Sequence, residues 1–382
     1  MGVPIAIRAA WSGREKADHA TMPSITIRGR DPLRAVTIAP ATLLAPMEGV
    51  TDPVFRDCVL PLGGVGAACT EFLRISVAPL PAKVVRKALY QDGSHEAAIA
   101  RGEPGAARRA PAGSAGIRHA GPPVAVQLMA SDIDHLAPSI QAAERVGAAW
   151  IDLNFGCPAP IVFNKCAGSG LLDHPERLAS IVRTAVAATG LAVSAKLRVG
   201  ITSPARLDEL MLAAAEAGAA MITLHARLRC QSYAEPSTWS WIAQAKRTLV
   251  AAGHTVPLVG NGSVEAPGDV ARMRRETGCD AVMIGRGALA DPWIFAQAGG
   301  GPGPTPAMAL DFARGYAATV TAARGERVAV AKLKQLARWY RCGGLFAGEA
   351  GDQRRRELLR RESLIEVMMG LEAEATQCAV PA

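Results

Sequence analysis

A chain of 382 residues that is 49% hydrophobic and 20% charged is long enough for a large buried core and has the composition of a globular protein. No apolar run approaches the roughly 18 residues that cross a bilayer, and charges interrupt the opening segment too early for a secretion signal, so we expect a cytoplasmic protein without membrane contact. The net charge of +8 favours an anionic partner without identifying it.

The eight cysteines are scattered along the chain and form no C-x-x-C pair. This pattern argues against a zinc ribbon, an iron–sulfur cluster and a disulfide framework. We therefore expect reduced cysteines, most of them buried, and no bound metal.

In chain order, residues 1–40 lack sustained periodicity and mix proline, glycine and charges, which predicts a flexible extension. Between 41 and 300, short apolar runs alternate with alanine-rich helical segments, a pattern typical of parallel β/α units. The predicted strands cover 42–46, 66–71, 124–128, 150–154, 192–197, 221–225, 257–261 and 281–285. This number of units over about 260 residues predicts a TIM (β/α)8 barrel, an α/β fold.

Two further segments complete the predicted organisation. Residues 101–123 are rich in Gly, Pro, Ala and Arg and predict a loop before the third strand, either a plain insertion or a functional one. The linker "GGGPGPTP" leads into helical patterns without strand signals. Residues 308–382 are therefore predicted to form a small C-terminal helical domain.

Polar side chains stand where the predicted strands end. In a TIM barrel these ends meet at one mouth, which holds the chemistry. The polar positions are Glu48, Glu71, Gln127, Asn154, Lys196, His225, Asn261 and the pair Gly285-Arg286. A single buried amide is usually a satisfied structural group, but so many polar groups on one rim predict a binding site.

The last two strands suggest what that site binds. Gly262-Ser263 and 285–287 stand where barrels commonly hold a phosphate with backbone N–H groups, and Arg286 adds a bidentate donor. Lys196 lies in an apolar run, where a lysine is costly unless it meets an anion. A flavin fits, because its reduced ring is negatively charged near N1, and Gln127 could bond the ring edge.

The chain resembles the tRNA-dihydrouridine synthases. "LAPMEGVTD", "TEF", "VQL", "DLNFGCP", "AGSGLL", "KLRVG", "LHAR", "GNGS" and "DAVMIGRGAL" occur in that family's order and spacing from about residue 43 to 300, and "AKLKQLARWY" extends the match into the helical region. "TEFLRIS" and "GRGAL" are most similar to the bacterial C-type branch, which acts on uridine 16 of the D-loop.

The resemblance implies FMN at the barrel mouth, NADPH as electron donor and tRNA as substrate, with reduction of a uridine C5=C6 bond to 5,6-dihydrouridine. We expect a monomer. The implied flavin contacts are Pro46, Met47, Glu48, Gln127, Lys196, His225, Asn261, Gly262, Ser263, Gly285 and Arg286. Asn154 and Arg198 match residues near flavin or substrate, and Cys157 matches the proton donor.

Cys157, in a Gly-Cys-Pro turn after a strand, could by itself be a packed thiol, a metal ligand, a nucleophile or an acid. Hydride delivered to uracil C6 leaves a carbanion at C5 that needs an acid, and thiols are mostly protonated at neutral pH. A nucleophile needs a paired base, which the local sequence lacks. Packed cysteines are common, but a tight turn at a strand end is an unusual place for one. We predict an acid.

The expected RNA contacts are basic residues. In the loop after the Gly-Cys-Pro turn, the one charged residue is Lys165. At a different place, after "NG", relatives often carry an acidic residue where this chain has Ser263. Lys334, Arg338 and Arg341 have the i, i+4, i+7 spacing of one helical face and are predicted to contact tRNA phosphates. Charge runs also occur as solvated faces, which is the alternative.

Two other functional classes remain compatible with the barrel. A small-molecule flavin oxidoreductase, of the dihydroorotate or dihydropyrimidine dehydrogenase type, would use the same mouth without the basic tail. A non-catalytic RNA binder would have no need for the polar groups at the mouth. Trp339 and Tyr340 in the tail could stack on RNA or simply pack.

Overall fold

The computed structural model describes residues 23–90, 121–164 and 166–379. Its strands are β1 Ile25–Ile27, β2 Val36–Ile38, β3 Thr42–Leu44, β4 Ala67–Cys69, β5 Leu73–Arg74, β6 Val124–Met129, β7 Ile151–Phe155, β8 Val193–Arg198, β9 Met221–His225, β10 Leu258–Asn261 and β11 Ala281–Ile284. β3, β4 and β6 to β11 pair in parallel, and β11 pairs back with β3 to close the barrel. The predicted TIM barrel is confirmed.

Helices surround this barrel and continue beyond it. Those of the barrel region are α1 Pro53–Val59, α2 Ala82–Leu89, α3 Leu136–Val146, α4 Pro160–Phe163, α5 Pro175–Ala188, α6 Leu207–Glu216, α7 Ser240–Ala251, α8 Gly268–Thr277, α9 Gly287–Ala290 and α10 Ile294–Ala298. The C-terminal region contains α11 Pro306–Arg324, α12 Glu326–Ala337, α13 Gly348–Leu358 and α14 Leu364–Ala379. The predicted helical region is therefore present.

Side-chain alternation along the strands explains how the barrel holds polar groups inside. In β8, Ala195 and Leu197 pack in the apolar cluster that includes the helices. Ser194 points the other way, into the barrel, where its hydroxyl bonds Asp152 of β7. Lys196 follows two residues later on that same face and lines the cavity at the mouth. The carboxyl end of the barrel is consequently polar although its wall is apolar.

Residues 23–40 differ from the predicted flexible extension. β1 and β2 form an antiparallel pair, and Ile27 and Ile38 are fully buried in a cluster with Leu43 and Trp150 of the barrel. Strands of three residues are too short to show a clear alternation of apolar and polar residues, so the sequence pattern did not reveal them. The predicted extension before residue 23, and all of the predicted 101–123 loop except 121–123, lie outside the described residues.

The C-terminal helices pack directly on the barrel. Phe55 of α1 meets Tyr316 of α11 edge-on, with ring centroids 5.9 Å apart. Helix α12 ends at Ala337, and Arg341 lies beyond it with a φ of −135°. The prediction that Arg341 shares one helical face with Lys334 is therefore wrong, because the helix stops too early. No helix among residues 23–90, 121–164 and 166–379 is long and apolar enough to cross a membrane.

Candidate active site

Two adjoining cavities open at the carboxyl end of the barrel, with about 570 and 980 Å³ of empty space. The residues common to both are Pro46, Met47, Lys196, His225, Tyr233 and Arg286. We call the joined cavities the cleft.

All of the predicted barrel residues apart from Glu71 and Lys165 line the cleft. Asn261, Gly262, Ser263 and Gly285 line the first cavity only, and Glu48, Gln127, Asn154, Cys157 and Arg198 line the second only. Lys165 lies outside the described residues. The three predicted tail residues, Lys334, Arg338 and Arg341, are not among those that line the cleft.

Two cationic side chains face the cleft without an ion pair within the described chain, although the charge of Asp152 lies near enough to Lys196 to favour its charged form. Among the described residues, no group accepts a hydrogen bond from Lys196 Nζ, and burial, with the nearby charge of Arg198, lowers the pKa of Lys196 to about 8. The guanidinium carbon of Arg286 lies 5.2 Å from the ring centroid of Tyr233 and 5.1 Å from that of Trp339, and the guanidinium makes no hydrogen bond within the described chain. These two groups suit an anionic ligand.

His225 is held in its neutral form. Its Nε2 lies 3.0 Å from an Arg227 terminal nitrogen, which can only donate, so Nε2 accepts and Nδ1 carries the proton. Burial lowers the pKa of His225 well below its usual value, and the charges of Lys196, Arg198, Arg227 and Arg286 lower it further. His225 therefore presents a neutral ring to the cleft over the ordinary pH range.

The turns after β10 and β11 bring backbone close to the cleft. Gly262 has a φ of +118°, and a Cβ there would come within 2.3 Å of Ser237 Oγ. Ser263 has a φ of 48°, and its hydroxyl accepts hydrogen bonds from Arg227 and from Ser237 N, both at 3.0 Å. These bonds hold the Ser263 side chain in the wall of the cleft, which leaves the backbone groups of this turn for the ligand. Gly285, opposite, approaches Met47.

The turn that carries Cys157 is held from three directions. Asn154 Oδ1 accepts from Cys157 N at 2.9 Å, Arg198 Nε donates to Gly156 O at 2.9 Å, and Ser169 Oγ donates to Cys157 O at 2.7 Å. The Cys157 thiol is half-buried and has no hydrogen-bond partner in the described part of the chain. A nucleophile with a paired base is not supported here. No metal-ligand cluster occurs among the described residues either.

Arg198 acts mainly on the protein itself. Besides Gly156, its guanidinium donates to Leu228 O at 3.0 Å and to the Tyr233 hydroxyl at 2.8 Å. It is 1% exposed. Arg198 lines the cleft, and its predicted place near the substrate stays a prediction, since three of its N–H groups support the walls.

The loop between β3 and α1 forms another wall of the cleft, through Pro46, Met47 and the exposed Glu48. Met47 N donates to Thr51 Oγ1 and Val50 N donates to Glu71 Oε1, both at 2.8 Å. Glu71, at a predicted strand end, therefore braces this loop.

Sequence reasoning missed Asp152, Arg227 and Tyr233 in this region, and it gave Trp339 only as a tail residue that could stack on RNA or pack. Asp152 stands two residues before Asn154, so the alternation of side chains along a strand places both on the same face. This signal was available in the sequence. Arg227 follows β9 in "LHAR". Tyr233 and Trp339 come from a loop and from the helical region, and their approach to Arg286 depends on tertiary packing that no local pattern encodes.

Fold and cleft together define a (β/α)8-barrel protein with an enzyme-like mouth, where unpaired cations lie beside a cysteine on a braced turn. The family model of the dihydrouridine synthases (Dus) matches residues 43–351. The chain belongs to the dihydrouridine synthase family.

Curated relatives agree with this family. The chain is 40% identical over 255 residues to a tRNA-dihydrouridine(16) synthase of Ralstonia nicotianae, covering 66% of this chain and 70% of the relative. It is 38% identical over 254 residues to one of Cupriavidus necator, covering 66% and 71%. It is 33% identical over 273 residues to one of Neisseria meningitidis serogroup B, covering 71% and 74%.

A solved morphinone reductase in complex with tetrahydroNAD aligns over 69% of this chain and 88% of that chain, with a TM-score of 0.43 and 12% identity. That likeness is too weak to bear on function.

Proposed function

We propose that the protein reduces the C5=C6 bond of uridine 16 in the D-loop of tRNA to 5,6-dihydrouridine, with FMN as cofactor and NADPH as electron donor. The observation that carries this proposal is the placement of Lys196 and Arg286, neither of which forms an ion pair within the described chain, in one cleft with Cys157. The names of the curated relatives support tRNA and position 16.

The residues of the cleft fit FMN. Arg286 and the backbone of the turns at 262–263 and 285–287 would hold the phosphate, and the ammonium of Lys196 would meet the anionic edge of the reduced ring. Pro46, Met47 and Gln127 would complete the walls around the ring. When bound, FMN supplies the hydride that NADPH has provided, and that hydride goes to C6 of the uracil.

Cys157 would complete the reduction. The hydride forms the new C6–H bond and leaves an electron pair at C5, and the Cys157 thiol donates its proton to form the C5–H bond. The resulting thiolate takes a proton from solvent before the next turnover. Asn154, Arg198 and Ser169 hold the turn so that the thiol keeps its place in the cleft. The neutral His225 would not compete as an acid.

For tRNA, we propose contacts from the basic side chains of the tail and from Lys165. Lys334 donates to Arg361 O at 2.8 Å, and Arg341 pairs with Asp352 at 2.6 Å, so part of their capacity serves the fold. Arg338 is exposed and has no acidic partner among the described residues, which favours it as the phosphate contact of the three.

The decisive experiment maps dihydrouridine by mass in tRNA from cells with and without the gene, and in unmodified tRNA treated with purified protein, FMN and NADPH. We expect dihydrouridine at position 16 and its loss on deletion. Dihydrouridine at another position would contradict the assignment to uridine 16. Turnover of free dihydroorotate or free pyrimidines, with no change in tRNA, would favour the small-molecule oxidoreductase instead.

A further inference from the structure

A continuous series of hydrogen bonds crosses the barrel mouth from Asp152 to the turn of Cys157. Gln127 Nε2 donates to Asp152 Oδ2 at 2.7 Å, and Asn154 Nδ2 donates to Gln127 Oε1 at 2.8 Å. Asn154 Oδ1 then accepts from Gly156 N at 3.0 Å and from Cys157 N at 2.9 Å. We call Asp152, Gln127 and Asn154 the amide relay.

The direction of the amide relay is fixed from both ends. Backbone N–H groups only donate, so the oxygen of Asn154 must face the turn and its nitrogen must face Gln127. The oxygen of Gln127 is then turned to Asn154, and its nitrogen to Asp152. At the far end the Ser194 hydroxyl and the Cys69 thiol also donate to the Asp152 carboxylate, which accepts throughout.

We propose that Asp152 is a positioning residue that sets the direction of the amide relay, so that Gln127 and Asn154 each present an N–H donor to the cleft. Each amide nitrogen carries two hydrogens and has used one within the amide relay. Both residues line the cleft beside Cys157. Asp152 itself is 3% exposed and is not among the residues that line the cleft.

This direction has a consequence for what the cleft accepts. The N–H donor of Asn154 suits a ring carbonyl oxygen, such as uracil carries at C4, and opposes the amino group that cytosine carries there, whereas the donor of Gln127 remains for the flavin ring. The identity of the ring rests on the proposed function, whereas the amide relay rests on the hydrogen bonds alone. The amide relay would therefore add selection against cytosine to the support of Cys157.

Exchanging the residue types at the two ends of the amide relay, Asp152 and Asn154, tests the direction of its hydrogen bonds. In Asp152→Asn, an amide N–H must face either Ser194 or Gln127, which both already donate to this position. In Asn154→Asp, a carboxylate faces the oxygen of Gln127. The double variant D152N/N154D keeps composition and charge, and the two bonds of Gln127 can form again in reverse, with Gln127 turned over, while Gly156 N and Cys157 N still donate to residue 154. Residue 154 then presents an acceptor to the cleft, where Asn154 presented an N–H donor.

The first readout is the melting temperature of the four proteins, which needs no substrate. We expect each single exchange to lower it, and the double variant to recover most of the loss, because the members of one hydrogen-bond network are coupled. Additive losses in the double variant would show that the amide relay does not exist as a unit.

The second readout is the single-turnover reoxidation of the reduced flavin by tRNA, with tRNA affinity measured separately. We expect the double variant to bind tRNA normally and to remain at least about tenfold slower than wild type, as loss of one donor predicts. Cys69→Ala is the matched control, because its thiol contacts the same carboxylate at 3.8 Å outside the amide relay. It should stay within about twofold of wild type.

A double variant that recovers both melting temperature and tRNA turnover would overturn the directional role, since direction would then not matter. Failure of the wild-type protein to oxidise its flavin with tRNA would refute the proposed function instead. The melting temperatures would still decide whether the amide relay exists.

Discussion

Replacing Lys196 by methionine should stabilise the flavin-free protein while weakening its hold on FMN. The ammonium group has no acceptor among the described residues, and burial with the Arg198 charge lowers the pKa of Lys196 from 10.5 to about 8. At about 1.4 kcal/mol per tenfold change in an equilibrium, this difference corresponds to about 3 kcal/mol of unfavourable free energy for the folded charged state. Methionine has a similar length and removes that cost.

The pH dependence gives the effect a signature. The unfolded lysine binds its proton more tightly than the folded one, so the penalty is complete below pH 8 and wild-type stability recovers as pH rises from about 8 towards 10.5. The difference between Lys196→Met and wild type should therefore be largest near pH 7 and should shrink through that window.

The assay is thermal unfolding of flavin-free protein from pH 6.5 to 10, with and without excess FMN. Without FMN the variant should melt higher. Saturating FMN should raise the melting temperature of wild type more than that of the variant, because stabilisation follows the affinity for the ligand. Lys246→Met is the control, since Lys246 is paired with Asp280 at 2.7 Å on the barrel surface and its loss should not stabilise.

Equal or lower melting of flavin-free Lys196→Met below pH 8 would refute the reasoning, because the ammonium would then be compensated within the protein. Unchanged FMN affinity in the variant would separately remove Lys196 from the proposed cofactor site.

Three further outcomes are expected. Cys157→Ala should keep flavin reduction by NADPH but lose tRNA-dependent reoxidation, and Cys157→Ser should also be slow because a hydroxyl is the weaker acid; normal reoxidation in either would remove Cys157 as the acid. Neutralising the exposed Arg338, Arg356 and Arg360 should flatten the salt dependence of tRNA binding by up to about three counterions, and an unchanged slope would contradict that contact. Lys332→Met should increase backbone hydrogen exchange at 46–52 in flavin-free protein, because Lys332 pairs with Asp52 and donates to Gly49 O; unaltered exchange would contradict this support of the loop.

Much of the barrel could be predicted because its strands are buried on both faces and read as apolar runs between turn signals. The strand at 221–225 was predicted to the residue. The first strand was predicted to end at residue 46 but ends at Leu44, because the residues after it enter a loop in which Met47 N donates to Thr51 and Val50 N donates to Glu71. The bond to Glu71 joins positions 21 residues apart, which no local pattern reports.

Other features could not be predicted because they depend on tertiary contacts. Arg341 was expected to continue the face of Lys334, yet its N–H bonds Ala290 O in the barrel and its guanidinium bonds Asp352. Trp339 reaches Arg286 only because the helical region folds back over the barrel mouth. Helical spacing alone cannot report where a helix stops or what its end touches.

The contacts of Asp52 indicate that the helical region has a structural role beside its proposed tRNA binding. Asp52 caps α1, and its nearly buried carboxylate pairs with Lys332 at 2.8 Å and Arg324 at 2.9 Å, both from the C-terminal helices. Lys332 also donates to Gly49 O at 2.7 Å, within the loop that forms one wall of the cleft. Because Lys332 and Asp52 are largely removed from solvent, loss of Asp52 would leave the Lys332 charge buried without an anion, a cost of about 3 to 5 kcal/mol, whereas loss of Lys332 would leave Asp52 with Arg324. The helical region thus braces the loop that carries Pro46 and Met47, and the shape of the cleft depends on both parts of the chain.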